Sequence, residues 1–231
     1  MKIALVGYGK MGHMIEQCAK RAGHEVVATI DTFAEDASNK VPAEDAEAVA
    51  RAVKSSGAEG VIEFTHPTSV IANVKALLPL GLPLVVGTTG WNDKHAEIAE
   101  YAKKVGGTVM TAGNFSIGVN MFYKIVEEAA KIMHDYKDYD VAIWEMHHNQ
   151  KADSPSGTAL EVARRVQLAY TEKTEIVTDA YHERPAANQL HVSSTRVGNV
   201  PGTHKVFFDG TADTIELTHT ARSREGFAVG A

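Results

Sequence analysis

At 231 residues the chain has the length of one large or two small domains, and its 44% hydrophobic and 23% charged content suits a globular protein with a real core. A formal charge of −6 and a pI near 6.0, with no Lys/Arg-rich run, exclude the electrostatic footprint of a nucleic-acid binder. No apolar stretch approaches the roughly 20 residues of a membrane helix, and the N-terminus enters a strand without a signal-peptide pattern, so no membrane partner is expected and the expected compartment is cytoplasmic.

In chain order, residues 2–6 form a short apolar run of strand type that passes into Gly7-Tyr8-Gly9-Lys10-Met11-Gly12, which opens an amphipathic helix to about residue 21. In a dinucleotide-binding unit the first glycine permits the turn, the second lets the backbone approach a pyrophosphate, and the third lets helix and strand pack closely. The helix N-terminus then offers unpaired N–H groups and the positive end of its dipole to the phosphates. Gly23 ends the helix, residues 25–30 read as a second strand, and Asp31 stands at its end, where an acid hydrogen-bonds the adenosine ribose. Cys18, the single cysteine, sits within the helix and reads as a small core filler.

Alternation continues with a helix over 43–55, a strand over 60–64, a helix over 68–80, a strand over 83–86, a helix over 93–104 and a strand over 108–111. This pattern predicts a parallel sheet with helices on both faces and ligands beyond the carboxyl ends of the strands. Three small or hydroxylated clusters fall at those ends: Thr65-His66, Gly87-Thr88-Thr89 and Ala112-Gly113-Asn114-Phe115-Ser116. They suit the nicotinamide half of a dinucleotide, and they equally suit ordinary helix capping.

From Ser116 the pattern changes to a long amphipathic helix ending near residue 136, a strand over 139–146, a helix over 156–168, and strands over 175–178, 190–196, 203–209 and 213–221. The fold class is therefore α/β: an N-terminal Rossmann-type doubly wound parallel sheet over 1–116, and a smaller α+β domain carrying a mixed sheet over 117–220. A C-terminal segment over 221–231 returns toward the nucleotide domain. With no long linker, the two domains are expected to meet closely, with the site in the cleft.

Glu145 to Ala159, EMHHNQKADSPSGTA, has scarcely an aliphatic side chain and reads as an active-site loop feeding a helix. Adjacent His147 and His148 point in opposite directions on a strand end, and no cysteine cluster or His-x-x-x-His pair completes a ligand set, so no metal is expected. Proton transfer and anion binding fit better. Lys151 supplies a proton or a charge for a carboxylate, and Ser156-Gly157-Thr158 at a helix start presents N–H groups and a hydroxyl to an anion. Arg196, His204 and Arg222 stand outside this segment and read as structural.

The chain as a whole resembles the 4-hydroxy-tetrahydrodipicolinate reductase (dihydrodipicolinate reductase) family. The resemblance rests on GYGKMG at 7–12, GTTG at 87–90, AGNFSIGVN at 112–120, the fifteen-residue segment at 145–159, RVGNVPGTH at 196–204, and the closing HTARSREGFAVGA. It implies His147 as proton donor or acceptor, Lys151 as proton donor, His148 as a substrate-binding group, and Ser156, Gly157 and Thr158 around a substrate carboxylate. It implies cofactor contacts at Gly7, Tyr8, Gly9, Lys10, Met11, Gly12, Asp31, Gly87, Thr88, Thr89, Ala112, Gly113, Asn114 and Phe115. The implied cofactors are NADH and/or NADPH, the substrate is a small cyclic dicarboxylate, and the assembly is a homotetramer through the second-domain sheet. Thr32 and Phe33 follow Asp31 where an arginine usually meets a 2′-phosphate, so dual use with an NADH preference is expected. Family members continue as a helix beyond the Phe-Ala stretch, which implies a short or truncated form here. Two other readings stay open: another nicotinamide-dependent reductase of a small carboxylated imine or aldehyde, and a non-catalytic dinucleotide sensor.

Overall fold

The strand Lys2–Val6 (β1) buries all but its first residue, as a central parallel strand covered on both faces must. In the computed structural model, which describes residues 1–231, β1 joins Glu25–Asp31 (β2), Asn39–Lys40 (β3), Gly60–Glu63 (β4), Leu84–Val86 (β5) and Val109–Thr111 (β6). Every pairing is parallel and the order is β3-β2-β1-β4-β5-β6. Period-two alternation sorts the side chains. Ile3 and Leu5 pack with Ile15, Cys18 and Ala19 of the helix Lys10–Arg21 (α1) and with Ala228. Ala4 and Val6 face the opposite layer, built from Ala46–Ser56 (α2), Val70–Leu77 (α3) and His95–Val105 (α4).

Local chemistry moved some predicted boundaries. The side chain of Asp45 accepts the Ala48 N–H at 2.8 Å, so α2 begins at Ala46 instead of 43. Pro79 ends α3 at Leu77 and leaves Leu78–Leu80 as a single 3-10 turn, because it brings no N–H to an α-helical ladder. The two-residue β3 is too short to leave an alternation in the sequence.

Met1–Ser116 with Phe227–Ala231 make one compact unit, and Ile117–Gly226 make the other. The second unit contains Ile117–His134 (α5), Asp140–His147 (β7), Gly157–Gln167 (α6), Glu175–Val177 (β8), Gln189–Arg196 (β9), Thr203–Asp209 (β10) and Thr214–Thr220 (β11). Its sheet is mixed, in the order β11-β10-β7-β9-β8, with β7 parallel to β9 and antiparallel to β10. Val141 and Ile143 of β7 face a core completed by Val126 of α5, Val162 and Val166 of α6, and Phe208 of β10. The short helix Glu225–Gly230 (α7) ends the ordered elements. No helix is long and apolar enough to cross a membrane.

Candidate active site

Gly7 has φ +92°, and a Cβ there would lie 2.0 Å from the Phe64 carbonyl oxygen; a Cβ on Gly12 would lie 2.4 Å from the Gly7 carbonyl oxygen. The turn between β1 and α1 is therefore restricted to glycine at both places by close backbone approach. Gly9 and Lys10 are exposed at the helix start. Asp31 ends β2, and its carboxylate accepts the N–H groups of Tyr8 (2.6 Å), Phe33 (2.7 Å) and Ala34 (2.9 Å). Burial opposes its charge, yet those backbone donors hold its carboxyl below the usual range.

Tyr8, expected among the cofactor contacts of this turn, keeps its side chain within the protein. Its ring is buried, stacks on His13 at 4.0 Å between centroids, and its hydroxyl donates to Glu16. Burial first, and Glu16 second, push the phenol up to about 12. Met11 is half-buried and packs against the α1 layer of the core. At the other strand ends Thr89 and Gly113 are exposed, Gly87, Ala112 and Asn114 are half-buried, and Phe115 is buried. Thr88 is buried and spends its hydroxyl inward on Glu63, at 2.7 Å. Only its main chain remains to face a ligand.

In the second unit, alternation along β7 puts Glu145 and His147 on the same face as Val141 and Ile143, at the end where α6 begins. Strand register completes the group: Glu145 lies opposite Ser194 and His204, and His147 lies opposite Arg196. Glu145 is fully buried. Its Oε1 accepts from Ser156 N (2.9 Å), Arg196 Nη2 (2.8 Å) and Ser194 Oγ (3.2 Å), and its Oε2 accepts from Ser156 Oγ. His147 Nδ1 and His204 Nε2 lie 3.3 and 3.4 Å from Oε2. Burial opposes the charge, but His147, His204, Ser156 and Arg196 together hold the carboxyl far below the usual carboxylate range.

This carboxylate fixes the predicted substrate-holding elements. Ser156 is the N-cap of α6, its Oγ accepting the Ala159 N–H at 3.1 Å, and Glu145 anchors both its N–H and its hydroxyl. Gly157 is exposed at the first turn, with Thr158 beside it. Lys151 reaches Asp153 at 2.7 and 2.9 Å, and the loop is tied down where Arg196 Nε donates to the Lys151 carbonyl at 3.3 Å. His148 Nε2 accepts from Arg224 Nη2 at 3.1 Å; burial, then the Arg224 charge, hold that imidazole below its ordinary value. A Cβ on Gly202 would stand 2.9 Å from His147 Nε2.

His147, His148, Lys151 and the Ser156-Gly157-Thr158 turn thus belong to one unit, together with groups that sequence reasoning set aside or missed. Arg196 and His204, read as structural, both touch Glu145. Glu145 had a signal, since it precedes His147 by two residues on a strand and must share its face. Arg224 had none in spacing. Glu145, His147 and His204 bring potential metal-ligand atoms within 4.8 Å of one another. The Glu145 oxygens are already committed to serine and arginine donors, and a guanidinium 2.8 Å away opposes a second cation, so the trio fits proton handling better than metal binding.

Comparison with known proteins points to one family. The family model described as dihydrodipicolinate reductase, N-terminus, matches residues 1–115, and that described as dihydrodipicolinate reductase, C-terminus, matches 118–231. The chain is 37% identical to 4-hydroxy-tetrahydrodipicolinate reductase of Christiangramia forsetii, covering 100% of this chain and 89% of that one. It is also 37% identical to the protein of that name from Archaeoglobus fulgidus, covering 100% and 91%. Among solved structures, dipicolinate-bound dihydrodipicolinate reductase from Paenisporosarcina sp. superposes with a TM-score of 0.74 at 22% identity, covering 100% of this chain and 91% of that one.

Proposed function

Since this chain belongs to the dihydrodipicolinate reductase family, we infer that it is an NAD(P)H-dependent oxidoreductase acting in the diaminopimelate route to lysine. It reduces 4-hydroxy-tetrahydrodipicolinate to tetrahydrodipicolinate with loss of water. The observation that carries the assignment to residues is the second-unit cluster, where the His147 imidazole and the Ser156 helix start meet one buried Glu145, and Arg196 ties the Lys151 loop to the same carboxylate.

When bound, the reduced nicotinamide supplies a hydride from its C4. In our reading the first unit holds that cofactor through the N–H groups of the Gly7-to-Gly12 turn, the Asp31 carboxylate toward the adenosine ribose, and the main chain of Gly87, Thr88, Thr89 and the 112–115 loop. The second unit holds a dianionic ring: Gly157 N–H and Thr158 take one carboxylate, and His148 with Arg224 behind it meets the other end. The 4-hydroxyl leaves as water with a hydrogen of the neighbouring ring carbon, and Lys151 delivers the proton that balances the hydride as electron density arrives on the ring. His147, oriented by Glu145, serves as its partner acid or base. Positioning and electrostatic stabilisation supply most of the rate.

Glu35 and Asp36 follow closely on Asp31, and Asp36 bonds His13 at 2.8 Å, so the ribose end is rich in carboxylates and disfavours a 2′-phosphate. Lys10, exposed in the turn, offsets part of that, which supports dual use with an NADH preference. We also propose a cytoplasmic homotetramer, whose assembly is supported by the second sheet: its face opposite α5 and α6 carries half-exposed Trp144, Met146 and Phe207. The deciding experiment follows NADH and NADPH oxidation with freshly generated 4-hydroxy-tetrahydrodipicolinate. Substrate-dependent oxidation that collapses in Lys151→Ala is expected; oxidation by neither cofactor, from folded protein that binds NADH, would overturn the substrate assignment.

A further inference from the structure

Glu63 closes β4 with a completely buried side chain, and no step assigned above uses it. Its backbone pairs with Val6, the last residue before the Gly7 turn, and with Val86, the last before Gly87. That is the place where strand order reverses between β1 and β4, the switch point at which such sheets bind dinucleotides. Thr65 Oγ1 donates to one carboxyl oxygen and Thr88 Oγ1 to the other, the latter at 2.7 Å, and Asn73 Nδ2 lies 3.4 Å away. Thr88 Oγ1 in turn accepts the Thr65 N–H at 2.7 Å, while Trp91 Nε1 donates to the Thr88 carbonyl at 2.6 Å.

These donors are all neutral, and burial pushes the carboxyl up against their pull. A fold gains little stability from such a group, since an apolar side chain would avoid the desolvation cost. What the carboxyl does supply is geometry. Two hydroxyls converging on one acceptor leave neither free to rotate, and they tie the turn after β4 to the Gly87–Gly90 loop after β5. A change in either link therefore moves both loops.

We propose that Glu63 is a positioning residue for the reduced cofactor, locking Thr65 and Thr88 so that the two loops keep the spacing that receives the nicotinamide half. The proposal rests on the cofactor reading given above. Its test is the dissociation constant of NADH and NADPH for the full chain, with the KM of the dicarboxylate at saturating cofactor, in Glu63→Gln, Thr88→Val, Thr88→Ser and the Glu63→Gln/Thr88→Val pair. Glu63→Gln and Thr88→Val are each expected to weaken cofactor binding about tenfold, the double variant no further, with dicarboxylate KM unchanged. Thr88→Ser, which keeps the hydroxyl, should bind as the parent does. Parent-like binding by Thr88→Val, equal weakening by Thr88→Ser, or a dicarboxylate KM that rises in step would overturn it. If Glu63→Gln does not fold, the Val and Ser variants at position 88 decide alone. A parent that binds neither cofactor would overturn the nucleotide reading itself, and this proposal with it.

Discussion

Arg196 Nη2 stands 2.8 Å from Glu145 Oε1, pairing a mostly buried guanidinium with a carboxylate that has no contact with water. Removing the cation leaves the buried anion without its strongest partner, which typically costs about 3–5 kcal/mol. Arg196→Met is therefore expected to lower the denaturant midpoint markedly. The same change frees the Lys151 and Asp153 carbonyls, so turnover should fall in whatever protein remains folded. A midpoint within experimental error of the parent would show that Ser156 and the two histidines suffice to hold Glu145.

Lys151 is expected to be the most costly single loss to catalysis. Lys151→Ala should reduce kcat by about 10²- to 10⁴-fold, the usual worth of a general acid. Lys151→Arg should not restore it, because a guanidinium does not release its proton at working pH. Asp153, a partly exposed partner, is a different matter: Asp153→Asn should change stability by no more than about 1 kcal/mol. Near-normal turnover by Lys151→Ala in a steady-state assay would remove Lys151 from the mechanism.

The first sheet was legible because β1, β4 and β5 are apolar runs broken by glycine or threonine turns, and each helix between them carries its own apolar face. The polar segment at 145–159 was legible because chemistry displaced aliphatic residues from it. Arg196 and His204 were not, since they reach Glu145 through strand register across 51 and 59 positions of chain, and register is a property of the folded sheet. The inward turn of the Tyr8 ring was not legible, because a residue inside a glycine turn lends its backbone to that turn whatever its side chain does.

His204 should make stability depend on pH. Its imidazole is held below the ordinary 6.5, first by burial and then by the charges of His147 and Lys151, with Glu145 pulling the other way. The unfolded chain then binds a proton more readily than the folded one, so stability rises with pH in this window. The contribution is fully present above the unfolded value and is lost as pH falls through the folded one. Melting temperature measured from acid to neutral pH should therefore drop below about 6.5, and His204→Gln should flatten that limb. An unchanged limb in the variant would assign the acid transition to other groups.

Gly202 tests whether His147 must stay where it is. Its φ of +150° is one that side-chain-bearing residues rarely adopt, and a Cβ would meet His147 Nε2 at 2.9 Å and Cδ2 at 3.2 Å. His147 is buried, with Glu145 on its Nδ1 side and the His204 ring 5.1 Å away, so its ring has little room to retreat. Gly202→Ala should therefore rotate the imidazole off Glu145 or push the loop outward. A shift of about 1 Å at a reacting group can cost on the order of 10²-fold in rate, so kcat is expected to fall while the KM for reduced cofactor, bound by the first unit, holds steady. The His147 ring resonances should move in the same variant. Parent-like kcat with unmoved resonances would mean that the loop yields instead, and that the orientation of His147 is set by Glu145 alone.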